Sequence, residues 1–324
     1  MNVLVYGAGA VGLGLASCLL KAGATVLIVA REDTVRALRA KGLLRTGIFG
    51  TWHAPPEAFS CSTRLDDLPL EGPCDYVLVS TKSSDSAFAA RDIAAHASLL
   101  GERTRIVLFQ NGWGNEEVFA SCLPEERVYN GRVITGFSRP EKHHVEITVH
   151  ADAISVGSLC GAELSPIEPL CEAITRGDIP CQATRDIARD LWAKMLYNCA
   201  LNPLGAIFRV PYGVLAESPH TREIMDAIHS EVFAVIKASG YATHWDRPED
   251  YRKVFYERLI PATAAHEPSM LQDIRARKWT EVEALNGAVL RLADRAGIDV
   301  PVNRAVYNMV KFLEAGTEEK NAPA

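Results

Sequence analysis

The chain of 324 residues is long enough for two hydrophobic cores, and its 48% hydrophobic and 23% charged residues suit an ordinary globular protein. A net charge of -6 excludes a general attraction to nucleic acid or an anionic membrane, so an anionic substrate has to be captured by a local cluster of donors. Eight scattered cysteines form no CxxC pair, no HExxH occurs, and no apolar run reaches the roughly 18 residues that a membrane span needs. The chain opens on an apolar strand with no basic leader, so the expectation is a cytoplasmic protein with free thiols and no metal.

The first half alternates strand and helix. Val3–Tyr6 reads as an apolar strand, followed by a glycine-rich turn and an Ala/Leu-rich helix to about Lys21, with Gly23 suited to its end. Thr25–Ala30 is a second strand, apolar almost throughout, as expected when both faces of a sheet are covered. Asp75–Thr81 and Thr104–Gln110 repeat the pattern around a helix near Ser86–Leu99. Shorter strands are predicted at Val128–Thr135, Val145–Val149 and Ile154–Gly157, as an antiparallel extension, before a helix at Ile167–Thr175 and a strand at Ile179–Ala183. From Asp186 onward strand patterns vanish, and helical periodicity fills 187–207, 220–239, 249–265, 270–277, 281–297 and 303–315. The fold class is α/β, with an N-terminal Rossmann-type doubly wound sheet in residues 1–185 and an all-α C-terminal domain in residues 186–324. The polar tail Gly316–Ala324 is expected to fray. Patterning leaves open whether the long apolar helices pack internally or build a homodimer.

Gly7-Ala8-Gly9-Ala10-Val11-Gly12 follows a strand and opens a helix. Its glycines allow a tight turn and close approach of a pyrophosphate, which the helix N-terminus then attracts. At the end of the second strand an acidic side chain would bind a ribose 2′-hydroxyl, whereas Arg31 suits the 2′-phosphate of NADPH. Glu32 and Asp33 follow at once and read most simply as the acidic first turn of the next helix. Lys82 and Asn111-Gly112 lie just past two further strands, where open α/β sheets bind ligands; in isolation they are a solvated lysine and an ordinary turn.

Lys194, Asn198 and Asn202 recur at i, i+4 and i+8, one narrow polar stripe on an otherwise apolar helix. Buried polar groups need partners, so the stripe is expected to face a cleft where a ligand completes its hydrogen bonds. The plainer alternative has the asparagines bonding nearby backbone while Lys194 snorkels to water. Ser269 with Gln272 reads as a capping box, and Thr280 as a cap for a helix whose dipole favours Glu281.

These blocks together resemble the ketopantoate reductase (2-dehydropantoate 2-reductase) family: GAGAVG, Arg31, Thr81-Lys82, Gln110-Asn111-Gly112, the Lys194-x3-Asn198-x3-Asn202-Pro203 segment, and SMLQDIRARKWTE from Ser269 to Glu281. The resemblance spans nearly the whole chain. It implies NADPH-dependent reduction of a small 2-keto acid within pantothenate and coenzyme A synthesis. It also implies that Lys194 is the general acid and that Asn111, Lys194, Asn198, Asn202 and Ser269 meet the substrate. Lys82, Asn111 and Glu281 would contact NADPH, and Gly136 would approach it. The chain departs from the family at Pro211-Tyr212-Gly213, where many members carry asparagine in place of Tyr212. A relative reducing another small 2-keto acid, or a sensor that binds without turnover, are the remaining readings.

Overall fold

A computed structural model of the chain describes residues 1–69 and 72–318. Contacts divide it into two compact units, residues 1–110 with 115–187, and residues 111–114 with 188 onward. The short segment 111–114 thus joins the second unit although the sequence around it belongs to the first.

The first unit carries β1 (Asn2–Tyr6), β2 (Thr25–Val29), β3 (Leu43–Gly47), β4 (Trp52–Ala54), β5 (Ser60–Ser62), β6 (Cys74–Val79), β7 (Leu100–Leu108), β8 (Val128–Arg132), β9 (Thr135–Glu141), β10 (His144–His150), β11 (Ile154–Gly157) and β12 (Cys181–Ala183). Eight of these form a sheet in the order β12-β11-β8-β7-β6-β1-β2-β5, and the other four form a second sheet, β4-β3-β10-β9. In the large sheet only the β8–β11 pair is antiparallel. The sequence order reverses at β1, whose neighbours are β2 and β6, and such a reversal opens a crevice at the carboxyl ends of the strands.

The apolar runs explain this sheet. Successive side chains alternate faces, and here both faces are buried. Val3, Val5, Val26, Ile28, Leu78 and Val107 enter one core with the Ala10–Lys21 and Glu168–Arg176 helices. Leu4, Tyr6, Leu27, Val29, Val77 and Leu108 enter another with the Ser86–Ala95 helix.

The predicted Val128–Thr135 strand is two strands in different sheets, because the chain leaves the large sheet after Arg132 and re-pairs from Thr135. β3, β4 and β5 were not predicted. They are three to five residues long and carry Arg45, Thr46, His53 and two serines in place of an apolar run.

The second unit, apart from its 111–114 segment, is helical among the described residues: Ile187–Phe208, Tyr212–Glu217, Pro219–Ala238, Pro248–Val254, Ile260–Ala262, Ser269–Arg275, Asn286–Ala296 and Pro301–Glu318. Two expectations are corrected. The 249–265 segment passes through a π-helical turn at Phe255–Leu259, next to Pro261, which has no N–H to give the preceding turn. The 281–297 helix begins only at Asn286. Of the tail predicted to fray, residues 316–318 end the last helix and residues 319–324 lie outside the described residues. All eight cysteines are free, and no helix of the described residues is long and apolar enough to cross a membrane.

Candidate active site

The glycine turn is built by contacts that exclude side chains at two positions and not at the third. Gly7 has φ +104°, and a Cβ there would lie 2.8 Å from Thr81 N. A Cβ on Gly12 would lie 2.0 Å from the carbonyl oxygen of Gly7. Gly9, the N-cap of the Ala10–Lys21 helix, differs: its Cβ would meet only Ser80 O, at 3.8 Å. The protein itself therefore has no need of glycine at position 9, and the space before the helix N-terminus is open.

Arg31 is exposed, at the N-cap of the Glu32–Lys41 helix just past β2. The carboxylates beside it are paired. Asp33 lies 2.7 Å from Lys142 Nζ, which holds its carboxyl below the ordinary range, and Glu32 lies 3.9 Å from Arg36. Lys82 is half-buried and caps the turn after β6. Gln110 Nε2 lies 3.2 Å from the carbonyl oxygens of Thr81 and Lys82 and 2.9 Å from Ser86 Oγ, so it ties the loops after β6 and β7 together. Gly136 sits in β9 against β10, where a Cβ would come 2.6 Å from Val149 Cγ1. This tight pairing accounts for the glycine without a ligand. Sequence reading missed Arg139, whose Nη1 donates to Ala8 O at 2.7 Å. A lone basic residue in an irregular strand gave no signal of that reach.

In the second unit the polar stripe has partners. Lys194 Nζ donates to Asn111 Oδ1 at 2.6 Å, and Asn111 Nδ2 donates to Glu281 Oε2 at 3.0 Å. Glu281 is buried and Lys194 half-buried. Asn202 Nδ2 donates to Asn198 Oδ1 at 3.2 Å, while Asn202 Oδ1 accepts from Tyr212 OH at 3.1 Å and Ser269 Oγ at 3.3 Å. The asparagines thus bond side chains rather than neighbouring backbone. Around them Trp192, Leu196, Cys199, Ala200 and Leu201 are fully buried, which leaves the row as a narrow line on a greasy helix. Tyr212, the departure from the family pattern, is buried at the end of that row, with His266 packed 5.2 Å away.

Asn111 reaches this row because Gly112 follows it. Gly112 has φ +95°, and a Cβ there would lie 2.4 Å from Ala284 Cβ. That close approach lets Trp113 N donate to Ala284 O at 2.8 Å while its ring packs 4.6 Å from Trp192. Only a residue without a side chain allows the segment to dock so closely.

Two cap readings are corrected. The N-cap of the Ser269–Arg275 helix is Pro268, which cannot cap through a side chain; Ser269 is the first helical residue, and its hydroxyl turns to Asn202. Thr280 Oγ1 accepts from Val282 N at 3.2 Å, and Glu281 lies in a turn before the helix, so the Glu281 carboxylate takes an amide partner rather than a helix end.

The row is also anchored from behind. Pro203, inside the Ile187–Phe208 helix, has no N–H for the Cys199 carbonyl four residues earlier. Asn286 Nδ2 donates to that carbonyl at 3.1 Å and lies 3.0 Å from Asn303 Oδ1.

Two family models match the chain: one described as ketopantoate reductase PanE/ApbA over residues 3–161, and its C-terminal counterpart over residues 186–314. A 2-dehydropantoate 2-reductase of Aquifex aeolicus is 37% identical over 315 residues, 97% of each chain. One from Archaeoglobus fulgidus is 31% identical over 97% of this chain and 98% of its own. The crystal structure of a PanE/ApbA family ketopantoate reductase from Ralstonia eutropha superposes with a TM-score of 0.84 at 28% identity, covering 98% of this chain and 100% of that one. With both halves matched and a relative of this identity along nearly its full length, the chain belongs to the ketopantoate reductase PanE/ApbA family of oxidoreductases.

Proposed function

We propose that the protein reduces 2-dehydropantoate (ketopantoate) to pantoate with NADPH, with Lys194 as general acid. The observation that carries this reading is the run Glu281–Asn111–Lys194, joined at 3.0 and 2.6 Å, which holds an ammonium in a fixed direction beside a row of amides. The name printed for the Aquifex aeolicus relative supports the substrate.

The first unit fits a dinucleotide on one observation in particular: the space that a Gly9 Cβ would fill is open, before a helix N-terminus whose first N–H groups have no partner within the helix. Gly7 to Gly12 would hold the pyrophosphate, Arg31 the 2′-phosphate, and Lys82 a further part of the cofactor. Bound NADPH supplies the hydride that the 2-keto carbon accepts.

As the keto oxygen gains negative charge, the Lys194 ammonium stabilises it and donates a proton to it. Asn111 keeps Lys194 aimed by accepting a hydrogen bond from its ammonium, and Glu281 fixes the Asn111 amide in the orientation that makes its oxygen the acceptor. Asn198, Asn202 and Ser269 offer amide and hydroxyl groups to the substrate's carboxylate and hydroxyl. Replacing Lys194 by Ala lowers kcat by roughly 10²- to 10⁴-fold and leaves the NADPH Kd within about threefold. A variant with near-normal turnover removes the role.

A second reading, reduction of a different branched 2-keto acid, is favoured by Tyr212, whose phenol already occupies the Asn202 oxygen at 3.1 Å. NADPH oxidation measured across a panel of 2-keto acids decides between the two. Highest kcat/KM for ketopantoate supports the first, and a clear preference for another acid supports the second.

A further inference from the structure

We propose that Arg139 is a second guanidinium of the 2′-phosphate site and links that site to the glycine turn. This rests on the NADPH reading above.

Arg139 lies near the end of β9, in the smaller sheet of the first unit, away from the strands that carry the glycine fingerprint. Its side chain is half-buried and reaches Ala8, between the first two glycines, through a 2.7 Å bond to the carbonyl oxygen. One N–H serves that bond. A guanidinium carries five, in a fork whose geometry matches phosphate oxygens. Arg139 also lines a surface depression of about 430 Å³, with Ala37, Lys41, Glu141 and Lys142 among its other walls and Lys41 paired to Glu141 at 2.9 Å, so a ligand's group has room to reach it.

Two charges of opposite sign act on Arg139. Burial pushes its guanidinium below the ordinary range; the Asp33 carboxylate opposes this more than the Arg31 charge adds to it, and the 2.7 Å Lys142–Asp33 pair brings the β9–β10 hairpin to the segment that carries Arg31. Asp33 is paired with Lys142, and Glu32 faces Arg36. Both carboxylates that could otherwise accept from a ribose 2′-hydroxyl are thus matched by cations of their own. Arg31 and Arg139 remain as like charges, and a phosphate between them relieves the repulsion while accepting from both. The bond to Ala8 then gives the second arginine a fixed position relative to the turn that takes the pyrophosphate.

The test is binding, measured by calorimetry on the full chain, of 2′,5′-ADP and 5′-AMP, which share the adenosine and the 5′-phosphate and differ in the 2′-phosphate. For Arg139→Ala the expected result is a loss of about 10- to 100-fold for 2′,5′-ADP and less than about threefold for 5′-AMP, with Arg139→Lys recovering at least half of the loss on a logarithmic scale. Arg139→Gln, which keeps an N–H donor near Ala8, guards against a variant that fails to fold, and it should lose 2′,5′-ADP as selectively as the alanine variant. Equal losses for both ligands would mean that Arg139 only props the glycine turn, and an unchanged 2′,5′-ADP affinity would mean that it meets no phosphate; either overturns the proposal. If the unmodified protein binds 5′-AMP as tightly as 2′,5′-ADP, the NADPH reading itself falls, a result distinct from the other two.

Discussion

Gly9→Ala separates a glycine kept for a ligand from glycines kept for the fold. The added Cβ would meet only Ser80 O at 3.8 Å, ordinary van der Waals contact, and the backbone at φ -71° and ψ -171° is one that alanine adopts freely. Two small effects act on stability. Alanine is a poorer N-cap than glycine by about 0.5 kcal/mol, while the loss of unfolded-state freedom contributes about 0.4–1 kcal/mol in the other direction. They nearly cancel, so the Tm should stay within about 2 °C. The cofactor is another matter. A methyl group placed in the proposed pyrophosphate position costs about 1–3 kcal/mol if it behaves like overpacking in a core, which is roughly 5- to 150-fold in Kd. NADPH fluorescence titration and thermal melting on the same preparation read both quantities. Unchanged affinity for NADPH would refute the placement of the pyrophosphate. A large fall in Tm would refute the claim that the protein itself has no use for this glycine.

Gly112→Ala should behave in the opposite way, because φ +95° and a 2.4 Å approach to Ala284 Cβ together cost about 2–4 kcal/mol, lowering the Tm by roughly 5–15 °C and kcat with it; unchanged melting would show that the segment 111–114 does not dock as described. Tyr212→Phe removes one donor from Asn202 and should cost about 1 kcal/mol of stability while changing the ratio of kcat/KM between ketopantoate and a 2-keto acid without its hydroxyl. An unchanged ratio would dismiss Tyr212 as a specificity residue. Burial pushes the Glu116 carboxyl up to about 7, against the bond it accepts from Asn130 at 3.1 Å. Its folded value exceeds the unfolded one, so the stability tied to its protonated form is present at low pH and is lost as the pH rises from about 4.5 through about 7. Glu116→Gln should therefore gain in Tm over the parent between pH 5 and pH 8, and parallel pH profiles would sink this assignment.

The parts of the fold legible in the sequence are those where one physical demand dominates. β1, β2, β6 and the Ile106–Leu108 end of β7 are buried on both faces, so their composition is nearly all apolar and the strands stand out. β3 to β5 carry no such demand. They belong to short pairings such as β3 with β10, made between residues about 100 positions apart, and no local pattern announces those partners. In the site, Lys194, Asn198 and Asn202 were visible because helical spacing alone aligns them. The partner of Lys194 across the chain, Asn111, was visible only as a turn, since its docking depends on Gly112 meeting Ala284. Ser269 was misread because Ser-x-x-Gln satisfies a capping rule that the preceding proline forestalls.

Pro203 shows how a defect in one helix becomes an attachment point for another. The carbonyl that it strands at Cys199 is claimed by Asn286, which is held in turn near Asn303, whose amide nitrogen donates to Glu231 at 2.7 Å. Four helices therefore share a seam that starts at the Cys199 carbonyl, between Asn198 and Asn202. Drift in substrate preference need not begin among residues that touch the substrate. If Asn198 and Asn202 meet the substrate as proposed, substitutions at Asn286 or Asn303, remote in sequence and sealed from solvent, would act on those amides from the rear.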